Sequence, residues 1–298
     1  MPAIFVVGSS NTDMVVRSKS LPKPGETVLG GEFLLAHGGK GANQAVAAAR
    51  LGGNVFFVAK VGNDVFGQNA IQQFQNEKIA TQFVSQAPNT ASGIALINVN
   101  EQGENCIAVA PGANQFLSKK EIEEAAASFT SSDWALVQLE IPLESVSATL
   151  ELANAHQVKT VLNPAPAQEL PSHFYEQLFA ITPNETEAEC LTGIKISSLD
   201  SAHEAAKSLL DFGVQHVVIT LGSQGAYYLS KFENFHVPSP TVIAQDTTAA
   251  GDCFNGALVV ALSEGKNWKD AITFACNAAA LSVQKMGAQP SLPFRNQL

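Results

Sequence analysis

Asp246-Thr247-Thr248-Ala249-Ala250-Gly251-Asp252-Cys253-Phe254-Asn255-Gly256 runs small residues into a single carboxylate and then into an apolar helical pattern. Phe254, Ala257, Leu258, Ala261 and Leu262 recur at i, i+3, i+4 spacing, which predicts an amphipathic helix packed on a core. Ala249 to Asp252 then fall in the loop and first turn, where backbone N–H groups lack intrahelical acceptors. Such a terminus attracts anions through its free amides and the positive end of its dipole. Small side chains admit a phosphate closely, and Asp252 stands where a base could reach whatever attacks it. The plainer reading makes Asp252 an N-terminal helix carboxylate that stabilises the dipole and nothing else. This stretch by itself leaves both readings open.

Outward from it, short apolar β-type runs alternate with helical patterns, which predicts an α/β fold with a doubly wound, mainly parallel sheet flanked by helices. Strands are expected at residues 4–7, 55–61, 134–139, 160–162, 178–182, 217–220 and 226–229. Helices are expected at about 41–51, 67–77, 119–128, 143–156, 186–192, 201–212, 252–263 and 268–285. Two stretches break the rhythm: 14–37, with Leu21-Pro22-Lys23-Pro24-Gly25-Glu26, and 92–111, with a turn at Glu101-Gln102-Gly103-Glu104. Both read as antiparallel hairpin material at the edge of the α/β body. A sheet that small has too little core to stand alone, so it is expected to cover a cleft or a partner subunit.

Bulk composition narrows the function. Among 298 residues, 46% are hydrophobic and 15% charged, enough to bury a substantial core. A net charge of −10 and a pI near 5.0 argue against broad electrostatic binding to nucleic acid or anionic membrane. An anionic substrate must therefore be held by local groups. Cys106, Cys190, Cys253 and Cys276 are scattered without a CxxC pair, and read as reduced thiols of a cytoplasmic protein. The strand at 4–7 has no basic region before it, so no signal peptide is expected, and no apolar run approaches membrane-spanning length.

Polar residues gather where the expected strands end, on the side where open α/β sheets bind ligands. Asn11 and Asp13 follow the first strand, Glu140 ends the third, and Asn163-Pro164-Ala165-Pro166 follows the fourth. Asn184 and then Gly222-Ser223-Gln224-Gly225 follow the next two. One such residue reads as a turn former or cap; five in succession read as a binding edge. Gly38-Gly39-Lys40-Gly41-Ala42-Asn43-Gln44-Ala45 resembles a P-loop only superficially, since no Ser or Thr follows Gly-Lys. Its glycines let backbone approach a ligand, Lys40 supplies positive charge, and Asn43 can both donate to and accept from hydroxyls. Asn184 and Glu187, one turn apart, could reach a hydrated Mg2+ and phosphates; a capping box, with Thr186 and Glu189 also at the right spacing, is the alternative. The histidines show no paired spacing, and His37 reads as a packing or surface residue.

Taken together, these residues resemble the ribokinase-like (PfkB) carbohydrate and nucleoside kinases over essentially the whole chain. The matching motifs are Gly38–Asn43 with Gly62-Asn63-Asp64-x-x-Gly67, Asn11-x-Asp13, Asn163-Pro164-Ala165-Pro166 and Thr182-Pro183-Asn184-Glu185-x-Glu187. Thr220-Leu221-Gly222-Ser223, Asp246–Asp252 and Gly287-Ala288-Gln289-Pro290-Ser291 complete the set. The resemblance implies a single domain over 1–298 with a lid from the two inserted stretches, which in such kinases also pairs subunits of a homodimer. It implies ATP-dependent phosphoryl transfer to the 5-hydroxyl of D-ribose, with Asp252 as catalytic base and the amides of Ala249, Ala250, Gly251 and Asp252 as an anion hole. Asn11, Asp13, Gly39, Lys40, Gly41, Asn43 and Glu140 would hold the sugar.

By the same resemblance, Asn184, Thr220, Leu221, Gly222, Ser223 and Gly225 would line the ATP site, with Gly251 and Asp252. Cys276 or Asn277 would meet adenine, and Glu187 would help place Mg2+ indirectly. A K+ site is implied near Asp246, Thr248, Ser282, Lys285, Gly287 and Ser291. Ala249 departs from the Gly-Ala-Gly-Asp of many members, which matters if the loop needs a positive φ there. A related kinase for deoxyribose, fructose or a pseudouridine-like nucleoside is the alternative enzyme. A sensing module that lost its chemistry would require a missing group, yet Lys40, Glu187, Gly251 and Asp252 are all present. No G-x-G-x-x-G follows the first strand, which disfavours a dinucleotide-binding oxidoreductase.

Overall fold

Strands buried on both faces must be covered on both sides, and the computed structural model, which describes residues 2–298, has that form. In chain order the strands are β1 (Ala3–Val7), β2 (Asn11–Arg17), β3 (Glu32–Gly38), β4 (Asn54–Gly62), β5 (Val84–Ala87), β6 (Gly93–Val99) and β7 (Asn105–Ala110). They continue as β8 (Trp134–Val137), β9 (Lys159–Leu162), β10 (Ala180–Ile181), β11 (His216–Thr220), β12 (Ala226–Ser230) and β13 (Asn234–Val237). The helices are α1 (Lys40–Arg50), α2 (Val65–Asn76), α3 (Lys119–Ala126), α4 (Leu143–Ala155) and α5 (Ser172–Tyr175). After them come α6 (Glu185–Thr192), α7 (Leu199–Asp211), α8 (Ala250–Ser263) and α9 (Trp268–Ser282).

Nine strands form one sheet in the order β13-β12-β11-β10-β9-β8-β1-β4-β5. Pairing is parallel from β5 across to β11 and antiparallel at β11-β12-β13. The period of two sorts β1 between two cores. Ile4 and Val6 pack with Val46 of α1, Phe74 of α2, Val259 of α8 and Ile272 of α9. Phe5 and Val7 pack with Ile122 of α3, Leu150 of α4 and Leu209 of α7. The chain lays β1, β4 and β5 to one side and then returns to add β8 onward on the other. The order therefore reverses between β1 and β8, the place where ligands of such sheets bind. Just beyond those two strand ends, the Ser9 hydroxyl donates to Glu140 at 2.5 Å.

Helices α1 and α8 cross closely because α8 carries Gly256 at the contact. A Cβ on Gly256 would stand 2.8 Å from the Ala47 Cβ and the Gln44 carbonyl, and 2.9 Å from the Ala48 nitrogen. This crossing sets the first turns of both helices side by side.

The second sheet has four strands in the order β3-β2-β6-β7. It comes from the two expected insertions, with three corrections. The first pairing begins at Asn11, so Asn11 and Asp13 belong to strand β2 of the small sheet and are not loop residues after β1. Residues 18–31 carry no regular element. The sheet is also not purely antiparallel, because β2 and β6 run parallel. Asp64 anchors the second hairpin: its carboxylate accepts from the Gly67 amide, capping α2, and from both the amide and hydroxyl of Ser92 at 2.7–2.8 Å.

Other boundaries differ as well. The strand expected at 134–139 stops at Val137, and the one at 178–182 shrinks to Ala180–Ile181, although Phe179 and Thr182 still donate to the Thr160 and Leu162 carbonyls. Edge strands β5 and β13 were not anticipated. Helix α1 takes in Lys40 and α8 takes in Ala250, while α9 ends at Ser282, short of residue 285.

Substituting Gly256→Ala should force the α1–α8 crossing apart and destabilise the fold by about 1–3 kcal/mol, the usual penalty of overpacking. Urea denaturation of both proteins measures it as a lower midpoint at unchanged slope.

Candidate active site

Gly39 turns the chain from β3 into α1 with φ 89°, and a Cβ there would lie 2.7 Å from the Asn11 nitrogen. Only glycine meets both conditions cheaply. The turn makes Lys40 the first residue of α1, and its backbone N–H donates to Glu140 at 3.0 Å. Asn43 and Gln44 follow one turn on, facing α8.

Asp252 lies in the first turn of α8 and is 7% exposed. Each of its oxygens accepts one amide hydrogen at 2.9 Å, Oδ2 from Asn43 Nδ2 and Oδ1 from Gln44 Nε2. Burial raises its pKa, opposed by the Lys40 charge and by those two hydrogen bonds. Burial would lower the Lys40 pKa, but the charges of Asp252, Glu140 and Glu187 outweigh it and hold the ammonium ionised. Asp13 is pushed up to about 7 by burial, reinforced by Glu140 and Asp252. One cation and several carboxylates thus share a water-poor space, and Asp13 is the group poised to change charge near neutrality.

A cavity of about 210 Å³ opens in front of Asp252, lined also by Lys40, Asn163, Asn184, Glu187, Thr220 and the turn Ala249–Gly251. Ala249 adopts φ 60°, the left-handed conformation. The positive φ raised by the sequence is therefore real, at the third position of the turn Thr247–Ala250, where type II turns place glycine. That turn closes through the Ala250 N–H, which donates to the Thr247 carbonyl at 3.2 Å. Of the four amides expected to form an anion hole, one therefore has a protein acceptor. Among the described residues, the N–H groups of Ala249, Gly251 and Asp252 have no protein acceptor, and that of Ala250 is engaged.

A larger groove of about 490 Å³ adjoins this cavity, and Thr247 and Ala250 line both. Its walls include Gly222, Ser223, Val242, Ala279, Ala280 and Val283. Of the residues expected near a nucleotide, Gly222 and Ser223 line the groove, and Asn184 and Thr220 line the cavity. Leu221 and Gly225 are buried behind them. Cys276 packs in the core at 4% exposure, Asn277 is exposed, and neither lines the groove; Ala279 and Ala280 stand there instead. Glu187 serves as the capping partner of Asn184, with both carboxylate oxygens accepting from that residue at 2.9 Å. The capping box is thus realised by Asn184 and Glu187, not by Thr186 and Glu189.

Asp246 ties the loop before α8 to the loop after α9. Its two oxygens accept the Thr248 and Gly287 amides at 2.9 and 2.8 Å. Burial would raise its pKa, but these hydrogen bonds and the charge of Arg17 hold it below the ordinary value. The Gln245 and Asp246 amides both reach the Val283 carbonyl, bringing Ser282 and Lys285 into the same region; Ser291 hydrogen bonds locally to Ala288.

Several residues here had been given no role. Asn114 accepts from the Ser10 amide and donates to Asn11 Oδ1 at 2.8 Å. Asn255 bridges the Gly251 carbonyl and the Thr182 hydroxyl. Gln44 and Gln138 are fully buried behind Asp252. The four-residue spacing of Lys40 and Gln44 on one helix was the available signal for Gln44; no pattern marks the others.

Substituting Ala249→Gly should relieve the left-handed strain while keeping every amide, and raise stability by about 1 kcal/mol. Thermal denaturation should report this as a rise of about 1–2 °C. For Asp13 the folded pKa of about 7 lies above the unfolded 3.8, so ionisation destabilises the fold. The penalty is absent at low pH, grows from about pH 4 to pH 7 and is complete above. Asp13→Asn should therefore gain in melting temperature over the parent across that window and plateau beyond it, as melts over a pH series would record.

Comparison with known proteins gives the family. The family model described as "pfkB family carbohydrate kinase" matches residues 1–295. A Haemophilus influenzae protein named ribokinase is 44% identical, with 99% of this chain and 96% of the relative covered. A Salmonella typhi deoxyribokinase is 38% identical over 97% of this chain and 95% of its own. The structure of Arabidopsis thaliana ribokinase complexed with ribose and ATP superposes with TM-score 0.91 at 30% identity, covering 99% and 96% of the two chains. A family match over nearly the whole length, joined to a parallel sheet that opens on one cleft, identifies the chain as a sugar kinase belonging to the pfkB family of carbohydrate kinases.

Proposed function

We propose that this kinase transfers the γ-phosphoryl group of ATP to the 5-hydroxyl of D-ribose, giving D-ribose 5-phosphate. The observation that carries the reading is the shared wall. Thr247 and Ala250 border both the large groove and the small cavity, so the N-terminus of α8 lies between a nucleotide-sized space and Asp252. Asp252 takes the hydroxyl proton as the bond to phosphorus forms, and the amides of Ala249, Gly251 and Asp252 receive the developing charge. Asn11, Asp13, Lys40, Asn43 and Glu140 hold the sugar, with Gly39 and Gly41 permitting the close approach of backbone. Among the described residues Asn43 Oδ1 is buried without a partner, an acceptor that suits a sugar hydroxyl. Groove residues Gly222 and Ser223, with Asn184 and Thr220, hold the nucleotide.

The residues suit two cations. Asp246, Thr248, Ser282, Lys285, Gly287 and Ser291 offer carboxylate, hydroxyl and carbonyl oxygens, a donor set for K+. A cation there would stiffen the loop that presents the α8 amides. Glu187 has both oxygens committed to its cap, which fits a water-mediated approach to Mg2+, whose chemistry is to neutralise phosphate charge. We assign the protein to the cytoplasm, as one domain whose lid spans about 14–37 and 92–111. The lid presents Phe33, Leu35 and Leu96 at more than half exposure on the face opposite Asp13, which fits a homodimer.

A second reading, transfer to 2-deoxyribose, is favoured by the 38% identical deoxyribokinase. With ATP, Mg2+ and K+, a panel of ribose, 2-deoxyribose, fructose and pseudouridine should give the highest kcat/KM for ribose; a higher value for 2-deoxyribose makes the second reading correct. Asp252→Asn should lose about a hundredfold to ten-thousandfold in kcat. A variant that melts like the parent and stays active removes Asp252 as the base.

A further inference from the structure

Behind Asp252 lies a chain of side-chain amides that the proposed chemistry does not yet use. Gln44 Nε2 donates to Asp252 Oδ1 and to Asn163 Oδ1, both at 2.9 Å. Gln138 Nε2 donates to Gln44 Oε1 at 2.6 Å, and Asn163 Nδ2 donates to the Thr182 carbonyl at 3.3 Å. Gln44 and Gln138 are 0% exposed, so water does not compete for these groups. We infer that Gln44, locked by Gln138 and Asn163, is the positioning residue that orients Asp252 and confines its proton to the cavity side. This rests on the reading of Asp252 as the base.

The orientation of every amide follows from the groups at the ends. The Thr182 carbonyl and the ionised Asp252 can only accept. Asn163 must therefore turn its nitrogen to Thr182 and its oxygen to Gln44. Gln44 has two hydrogens on one nitrogen, and both are used, one on Asn163 and one on Asp252. Its oxygen is left to face Gln138, which has to present its own nitrogen. A flipped amide at any point would set two oxygens or two N–H groups against each other without water to intervene. The chain therefore has one low-energy sense, and that sense aims an N–H at Asp252.

Two things follow for the base. Gln44 and Asn43 hold both oxygens from the α1 side, so the carboxylate plane is fixed and the lone pairs left for a hydroxyl proton face the cavity. Both donors also favour the ionised form against burial. The charged groups facing Asp252 are Lys40 on α1, Glu140 beyond β8, Asp13 on β2 and Glu187 on α6, and none of them is linked to Gln44 by a hydrogen bond.

The test uses the full chain and four variants. Gln44→Met keeps the volume and removes the donors; kcat should fall about tenfold to a hundredfold with little change in either KM. The acid limb of its kcat profile should move to higher pH. Gln138→Met, which never touches Asp252, should give a smaller change in the same direction. Gln138→Glu, whose burial favours the protonated carboxyl, still has one hydrogen to donate to the Gln44 oxygen, so it should keep more activity than Gln138→Met. Asp252→Asn is the reference. If Asp252→Asn is inactive while Gln44→Met keeps its kcat and its acid limb, the positioning role is overturned and the base stands. If Asp252→Asn stays active, the base reading fails first. Should Gln44→Met lose its melting transition, the pair at Gln138 decides, and equal rates for Met and Glu there overturn the inference.

Discussion

The crossing of α1 and α8 at Gly256 is the constraint on which the site depends. With no side chain at that point, two helix backbones approach within van der Waals contact of each other, and their first turns come level. The first turn of α1 brings Lys40, Asn43 and Gln44; that of α8 brings Asp252 and its open amides. These groups arrive from sequence positions about two hundred apart, yet Asn43 and Gln44 meet Asp252 at ordinary hydrogen-bond length. Neither helix reaches this position by its own propensity. Each is held by the core on one face of the sheet, where Val46 and Val259 pack with β1. Helix packing here sets the geometry of the candidate site directly, because interiors are too dense to let one helix slide without the other.

Charge in the cleft is arranged around a deficit of cations. Lys40 faces Asp252, Glu140 and Glu187, and Asp13 stands close enough for Glu140 and Asp252 to raise its pKa. Such a cluster is uncomfortable for an apo protein at neutral pH. It suits a polyhydroxylated ligand, whose hydroxyls donate to carboxylates and displace the proton that Asp13 otherwise retains. The overall charge of −10 adds nothing to the capture of an anionic nucleotide, so such a ligand has to be held by local groups.

Much of this was legible in the residues, and the gaps have physical causes. Long periodic segments such as α4 and α7 read correctly because many positions vote for one face. The edge strands β5 and β13 were missed because Val84–Ala87 and Asn234–Val237 are short, half-polar runs made strands by their neighbours. Asn11 and Asp13 read as part of the binding edge after the first strand, ahead of the insertion at 14–37, because Asn and Asp favour turns locally; pairing with β3 on one side and β6 on the other overrides that preference. Lys40 and Asp252 stood out because small residues surround them. Gln44 and Gln138 did not, since neutral amides 94 positions apart follow no spacing rule. For the adenine contact the resemblance offers Cys276 or Asn277; Cys276 lies on the apolar stripe of α9 with Ile272 and Ala275, in the core, and Asn277 is exposed beside it. The left-handed backbone of Ala249 could be raised only as a question, because alanine carries no mark of its φ.

The parallel pairing of β2 with β6 has a mechanical consequence. Each hairpin of the small sheet leaves the body separately, one between Ser10 and Gly39, the other between Ser92 and Gly112. A plate tethered along two such lines can swing about the axis through them but cannot slide or pivot freely. One tether runs straight into Lys40 and the other is clamped by Asp64. Any swing of that sheet that moves Asp13 must therefore be felt at the start of α1, so that the small sheet and the Lys40 turn move as one.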